Sequence, residues 1–334
     1  MNLKRNTSNQ IYFINQIKGI LKNYKKYFPE HSFYLGGSLA KKEAKIVFKK
    51  GGLKPFNDID ILIINNSYNK EIGKKNKYIS LIKKELKDIF LLPFVDINYT
   101  DLKYLEIDTL ELYEFNLTGL LLFGRELRFK NGNIKKPQFT QFIDYLYNRI
   151  GGIILAKIGF IKNKQEVIYQ YVKTWISIGD SAVYLENDYY PPYYYERMNN
   201  FIQTKIFSES IKNNCINSYK YKINLGIKNY DHSKFINNKL ILKSILYLLK
   251  RFLITSKSQN LSILLANNKD IKLLIKFLIF IGIFIVLTNN KINILLEQKY
   301  FKIINNLIKK CILLSINKWL TSIGHSKIEK IKLN

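Results

Sequence analysis

Three aspartates carry the chemistry that can be read directly from this chain. Asp58 and Asp60 stand one residue apart in NDIDILII, and Asp96 stands in PFVDINY. In an extended strand successive side chains alternate between faces, so Asp58 and Asp60 project from one side while Ile59 and Ile61 project from the other. Asp96 sits between Val95 and Ile97 in the same alternation. A buried lone carboxylate is costly unless it is paired or metal-bound, so three of them on β-prone runs point to a shared divalent metal. Ahead of them, Gly36-Gly37-Ser38 follows the apolar run Phe33–Leu35. A glycine-rich turn that opens a helix lets an anion approach without a Cβ in the way and turns backbone N–H groups toward it.

The elements that must hold these residues follow from periodicity. Gln10–Tyr27 places Ile11, Ile14, Ile17, Leu21 and Tyr24 at three- and four-residue steps, an amphipathic helix ending near Pro29. Ile59–Ile64 reads as a central strand closed by the turn residues Asn65-Asn66-Ser67. Tyr78–Phe90, with Ile79, Ile82, Leu86 and Ile89 at helical spacing, should cover one face of the sheet before Phe94–Tyr99 returns as the third acidic strand. Asp101, Glu106, Asp108, Glu111 and Glu114 read as the solvated faces of a loop and a helix. Leu120–Leu127 closes this part, and Lys130–Pro137 is the candidate linker. Beyond it the pattern turns helical, at Phe142–Ile161, at Glu166–Leu185 and again from about residue 235. The fold class predicted is α+β: a mixed-sheet domain over 1–134, then an all-α domain over 135–334 with a C-terminal bundle.

Composition narrows the function classes. The chain has 334 residues, 47% hydrophobic and 24% charged, enough to bury a proper core. Its formal net charge of +29 would ordinarily suggest nucleic acid. The charge is nearly all lysine, spread evenly with isoleucine, asparagine and tyrosine, which reads as a chain-wide bias rather than a sculpted patch. A nucleic-acid partner is therefore not favoured. Cys215 and Cys311 form no disulfide framework, and His31, His232 and His325 are scattered, so no zinc spacing exists. The polar start MNLKRNTSNQ lacks an apolar signal region, and a cytoplasmic location is expected. Leu273–Leu287 is apolar but short of the roughly twenty residues of a span and is broken by Lys276, so a core helix is expected there and no membrane.

The order Gly36-Gly37-Ser38, Asp58-Ile59-Asp60, then Asp96 on a later strand resembles the DNA polymerase β-like nucleotidyltransferase superfamily. The resemblance spans about Ser32 to Glu126. It departs from compact members in the nineteen residues between Ser38 and Asp58, filled by a basic insert, Lys41–Lys54, with its own Gly51-Gly52 turn. Further on, YVKTWISIGDSAVYLENDYYPPYYYER resembles the helical-domain segment of kanamycin-nucleotidyltransferase-like enzymes, where a lysine precedes a Gly-Asp or Gly-Glu pair by about seven residues and a tyrosine-rich turn follows. Lys173 and Asp180 occupy those positions.

The resemblance implies a metal-dependent transfer of a nucleoside monophosphate from an NTP such as ATP to a hydroxyl acceptor, with release of pyrophosphate. It implies two Mg²⁺ ions, replaceable by Mn²⁺, held by Asp58, Asp60 and Asp96, with Asp96 serving the acceptor. Gly36, Gly37, Ser38 and Lys173 would bind the triphosphate. The acceptor would be a small molecule, or else a nucleotide or an RNA end, and a catalytically silent nucleotide-binding module is the rival from another class. DYYPPYYY, five tyrosines around Pro191-Pro192, suits either a base-stacking platform or a rigid turn packed between helices. The turn fits better, because prolines stop helices and tyrosine is common throughout.

Overall fold

The computed structural model describes residues 3–44, 46–49, 52–55, 58–66, 72–92, 95–102, 109–127, 136–224 and 232–257. The expected bundle beyond residue 257, the apolar run Leu273–Leu287, Glu106, Asp108 and most of the candidate linker lie outside them. The architecture is α+β, with a mixed sheet and its helices followed by a mostly helical region. The chain forms two compact units, one of Met1–Pro137 with Tyr189–Arg197 and Lys220–Ile227, the other of the remainder.

In the first unit, α1 (Leu3–Tyr24) leads into β1 (His31–Leu35) and the single helical turn α2 (Gly37–Ala40). The basic insert folds as a hairpin, β2 (Ile46–Lys49) paired antiparallel with β3 (Gly52–Pro55). Then come β4 (Ile59–Asn65), α3 (Ile72–Phe90), β5 (Val95–Asp101), α4 (Leu110–Thr118) and β6 (Leu120–Phe123). The main sheet has the order β5-β4-β1-β6. β1 runs antiparallel to both β4 and β6, and β4 runs parallel to β5. Two parallel neighbours cannot be joined by a tight turn, and α3 supplies the crossover between them.

One face of this sheet makes the main core. Phe33 and Leu35 of β1, Ile59, Ile61 and Ile63 of β4, and Val95 and Ile97 of β5 bury against Phe13, Ile14, Ile17 and Leu21 of α1 and Ile79, Ile82, Leu86 and Phe90 of α3. The rings of Phe13 and Phe90 meet at 4.5 Å. The helices differ from the expected stripes in one member each. Ile11 and Ile89 are exposed, and Phe13 and Phe90 take their places. Phe90 lies one residue past Ile89 and Phe13 two past Ile11, and the larger aromatic takes the inward position in each helix. The other face has a smaller core, in which Tyr34 and Ile64 pack under Leu112 and Phe115 of α4. β1 is buried on both faces as a result.

The end of β6 is pinned by side chains of β1. Ser32 Oγ accepts from Arg125 N at 2.9 Å, and Tyr34 Oη accepts from Leu127 N at 2.6 Å. Gly124 allows the bend with φ +95°, and a Cβ there would lie 2.5 Å from His31 O and 2.7 Å from Ser32 Cα.

In the second unit, α5 (Phe139–Lys157) packs on α6 (Lys164–Asn187), followed by most of α7 (Tyr194–Gln203), most of α8 (Glu209–Asn224) and α9 (Asn238–Lys257). Asn163 caps α6, its Oδ1 accepting from Gln165 N at 2.9 Å. Trp175, fully buried, donates Nε1–H to Phe235 O at 2.9 Å. Among the described residues no helix is long and apolar enough to cross a membrane.

Replacing Gly124 with alanine meets both a left-handed φ and backbone atoms that cannot move aside. Urea denaturation of Gly124→Ala is expected to show a loss of more than about 2 kcal/mol. Unchanged stability would mean that the β6 bend is not formed as described.

Candidate functional site

The parallel register of β4 and β5 sets Asp60 directly opposite Asp96. Ile59, Ile61, Val95 and Ile97 all point into the main core, so by alternation both aspartates project from the other face, at the start of their strands. Neighbouring strands lie about 4.8 Å apart, close enough for two such carboxylates to share one cation. Asp60 is half-buried and Asp96 exposed. Asp58 lies just ahead of β4, also half-buried.

The Gly-Gly-Ser turn meets the same point. The β1–β4 ladder ends with Gly36 N–H donating to Asp60 O at 2.9 Å. Gly37 follows at φ +62°, and a Cβ on it would fall 2.0 Å from Asp60 Oδ2. Any other residue there would be strained and would press that carboxylate aside. Ser38 is buried, and its carbonyl accepts from Glu43 N at 2.9 Å and Ala44 N at 3.0 Å, which folds the chain back after α2. Gly36 was expected to donate to phosphate. Its N–H goes to Asp60 O instead, so Gly36 closes the strand ladder.

The structure thus brings Gly36, Gly37, Ser38, Asp60 and Asp96 to one corner of the sheet. It does not close a three-acid set. Among the described residues no three His, Cys, Asp or Glu side chains are grouped to hold a metal ion. Two carboxylates in register, one half-buried and one exposed, suit Mg²⁺, a hard cation that is commonly bound by one or two carboxylates and keeps waters and substrate phosphates as its other ligands. Lys173 lies in α6, in the other unit, with Nζ 4.5 Å from the centre of the Tyr169 ring. Asp180 is fully buried and accepts from Tyr219 Oη at 2.6 Å, a structural contact inside the helical unit. Gly179 beside it leaves room for that tyrosine, since a Cβ would lie 2.8 Å from its hydroxyl.

A second group of charges stands next to the turn, and the reading of Glu114 as a solvated acid is wrong. Lys41, the first residue after α2, has a side chain 1% exposed and pairs with Glu114 Oε2. Arg197, fully buried, pairs with Glu114 Oε1, which also accepts from Tyr190 Oη at 2.7 Å. The rest of the Arg197 guanidinium is held by Pro191 O and Pro192 O, each at 2.8 Å. Tyr194 lies beneath both cations, its ring centre 5.0 Å from Lys41 Nζ and 4.7 Å from Arg197 Cζ. Glu43 accepts from Tyr195 N at 3.2 Å. Glu111, one turn before, is exposed as expected.

Helical spacing could not separate Glu114 from Glu111. A signal was nonetheless present, since Arg197 is one of only six arginines and stands two residues after the tyrosine run. The run divides in two: Tyr190 is buried in this cluster, and Tyr189, Tyr193 and Tyr195 are exposed. The expected rigid turn is there, fastened by an ion pair that the tyrosines alone did not announce.

Burial alone would raise the Glu114 carboxyl, but the charges of Arg197 and Lys41 outweigh it and hold the group down at about 2. Burial pushes the Lys41 ammonium down from its ordinary range, against the pull of Glu114, and pushes Glu43 up. Compared with protein-family models and with curated proteins, the chain matches none of them.

A carboxylate whose pKa is lowered by folding stabilises the fold above its unfolded value, and that contribution disappears as pH falls through the folded value. For Glu114 the window runs from 4.5 down to about 2. The stability gap between the wild type and Glu114→Gln, measured by urea denaturation, is expected to narrow across that window. A gap independent of pH there would show that Glu114 is not held ionised.

Proposed function

We propose that the protein is a nucleotidyltransferase that moves a nucleoside monophosphate from an NTP to a hydroxyl acceptor and releases pyrophosphate. One observation carries this reading: Asp60 faces Asp96 in register while Gly37, at a φ that favours glycine, stands against the Asp60 carboxylate. A pair of acids in register beside a glycine turn suits a metal-bound triphosphate.

In this reading Asp60 and Asp96 hold Mg²⁺, which when bound supplies positive charge to the phosphate oxygens. Gly37 and Ser38 seat the β- and γ-phosphates, where backbone and hydroxyl donors make pyrophosphate a better leaving group. Asp96, the exposed acid of the pair, faces the acceptor and takes the proton from its hydroxyl, since an ionised oxygen attacks phosphorus more readily. Asp58, just ahead of β4, stands outside the pair in this reading. By the resemblance alone, Lys173 stands as a candidate counter-charge to the triphosphate. Charge on the chain is too evenly spread to name the acceptor, and small hydroxyl compounds, nucleotides and RNA ends are all candidates.

A second reading is a nucleotide-binding module without turnover. It is favoured by one observation, that Asp58, Asp60 and Asp96 do not form a three-acid group.

A pyrophosphate-release assay with each NTP and Mg²⁺, over aminoglycosides, nucleotides and RNA, separates the two readings. Turnover is expected with at least one acceptor, and Asp60→Asn or Asp96→Asn should abolish it while leaving unfolding free energy within about 1 kcal/mol. Saturable NTP binding with no turnover on any acceptor would favour the silent module, and full activity of either variant would refute the assigned roles.

A further inference from the structure

We propose that Glu114 is a positioning residue that sets the Gly37–Ala40 turn through Lys41, and so tunes affinity for the metal-bound triphosphate; this rests on the reading of that turn as the phosphate seat. Lys41 is the first residue past the turn, and its own N–H donates to Gly37 O at 3.2 Å. Lys42 then takes φ 59° and reverses the chain, so the turn is short and Lys41 is its C-terminal post. The ammonium at the far end of that post is buried and pinned to one oxygen of Glu114.

The other oxygen of Glu114 is claimed by Arg197 and Tyr190. Arg197 cannot drift, because Pro191 O and Pro192 O grip it as well. The carboxylate therefore transmits a fixed anchor, the Tyr189–Arg197 segment, to the residue that ends the phosphate turn. Without its charge, two buried cations would face each other across the Tyr194 ring. Lys41 would then swing away, and Gly37, packed against Asp60, would move with it.

Stability alone does not account for this arrangement. Desolvating a buried ion cluster costs about what its attraction returns, and apolar residues of similar volume often serve stability as well or better. Such a cluster dictates geometry, since each partner has one place to stand.

Calorimetric titration with each Mg²⁺-bound NTP tests the proposal without knowledge of the acceptor. The fitted stoichiometry reports the folded fraction, and Kd reports the shape of the site in the molecules that are folded. Lys41→Met leaves Glu114 paired with Arg197 and so keeps a balanced interior; it is expected to raise Kd about tenfold at unchanged stoichiometry. Glu114→Gln should raise Kd similarly, and the double variant should be no weaker than the weaker single one, because both changes break one linkage. Unchanged Kd in Lys41→Met, or single effects that multiply in the double variant, would overturn the proposal. Tighter binding by Glu114→Gln would also overturn it, by showing that Lys41 is released to bind phosphate itself. Should Glu114→Gln not fold, Lys41→Met decides the matter alone. A wild type that binds no NTP would overturn the phosphate-seat reading, and this inference with it.

Discussion

The register of β4 against β5 is the constraint on which the account depends. Strand side chains alternate with a period of two, so a slip of one residue would turn Asp60 and Asp96 into the core and expose Ile59, Ile61, Val95 and Ile97. The four apolar residues, all buried against α1 and α3, make that slip expensive. Core packing and acid placement are two faces of the same pairing. Burial of these residues holds the aspartates on the opposite side, and the acid pair needs no separate device to aim it.

The turn is placed by the same economy. β1 runs between β4 and β6, and its ladder with β4 ends where Gly36 donates to Asp60 O. The next residue passes directly over the Asp60 carboxylate at φ +62°, where a Cβ would be strained and would push the carboxylate aside. The glycine pair, the strand end and the acid form one steric unit. The Lys41–Glu114–Arg197 cluster then continues from the far side of the turn, linking it to α4 and to the tyrosine segment.

Much of this was legible in the amino-acid pattern, and the failures have physical reasons. Alternation around Asp60 and Asp96 identified both strands, because a half-buried strand writes its two faces into sequence. The crossover helix between them was equally plain from Ile79, Ile82 and Leu86. Helix stripes differ at their ends, where Phe13 and Phe90 are buried in place of Ile11 and Ile89, because periodicity weighs a helix face but not the volume that fills it. Glu114 was misread since a lone acid on a helix looks solvated until its partners are known, and those partners, Lys41 and Arg197, lie 73 and 83 residues away in sequence. Gly36 was assigned a donor role that the β1–β4 ladder had already taken, a pairing that depends on register rather than residue type. Asp58 shows the limit of the two-residue rule. Spacing places it on the Asp60 face only while the strand continues, and the strand begins at Ile59.

The most direct test of the central claim is a crystal structure with Mg²⁺ and an NTP analogue that cannot be cleaved between its α- and β-phosphates. The account predicts a metal ion between the Asp60 and Asp96 carboxylates and the β- and γ-phosphates against Gly37 and Ser38. A nucleotide bound elsewhere, or a metal ion that touches neither Asp60 nor Asp96, would contradict it.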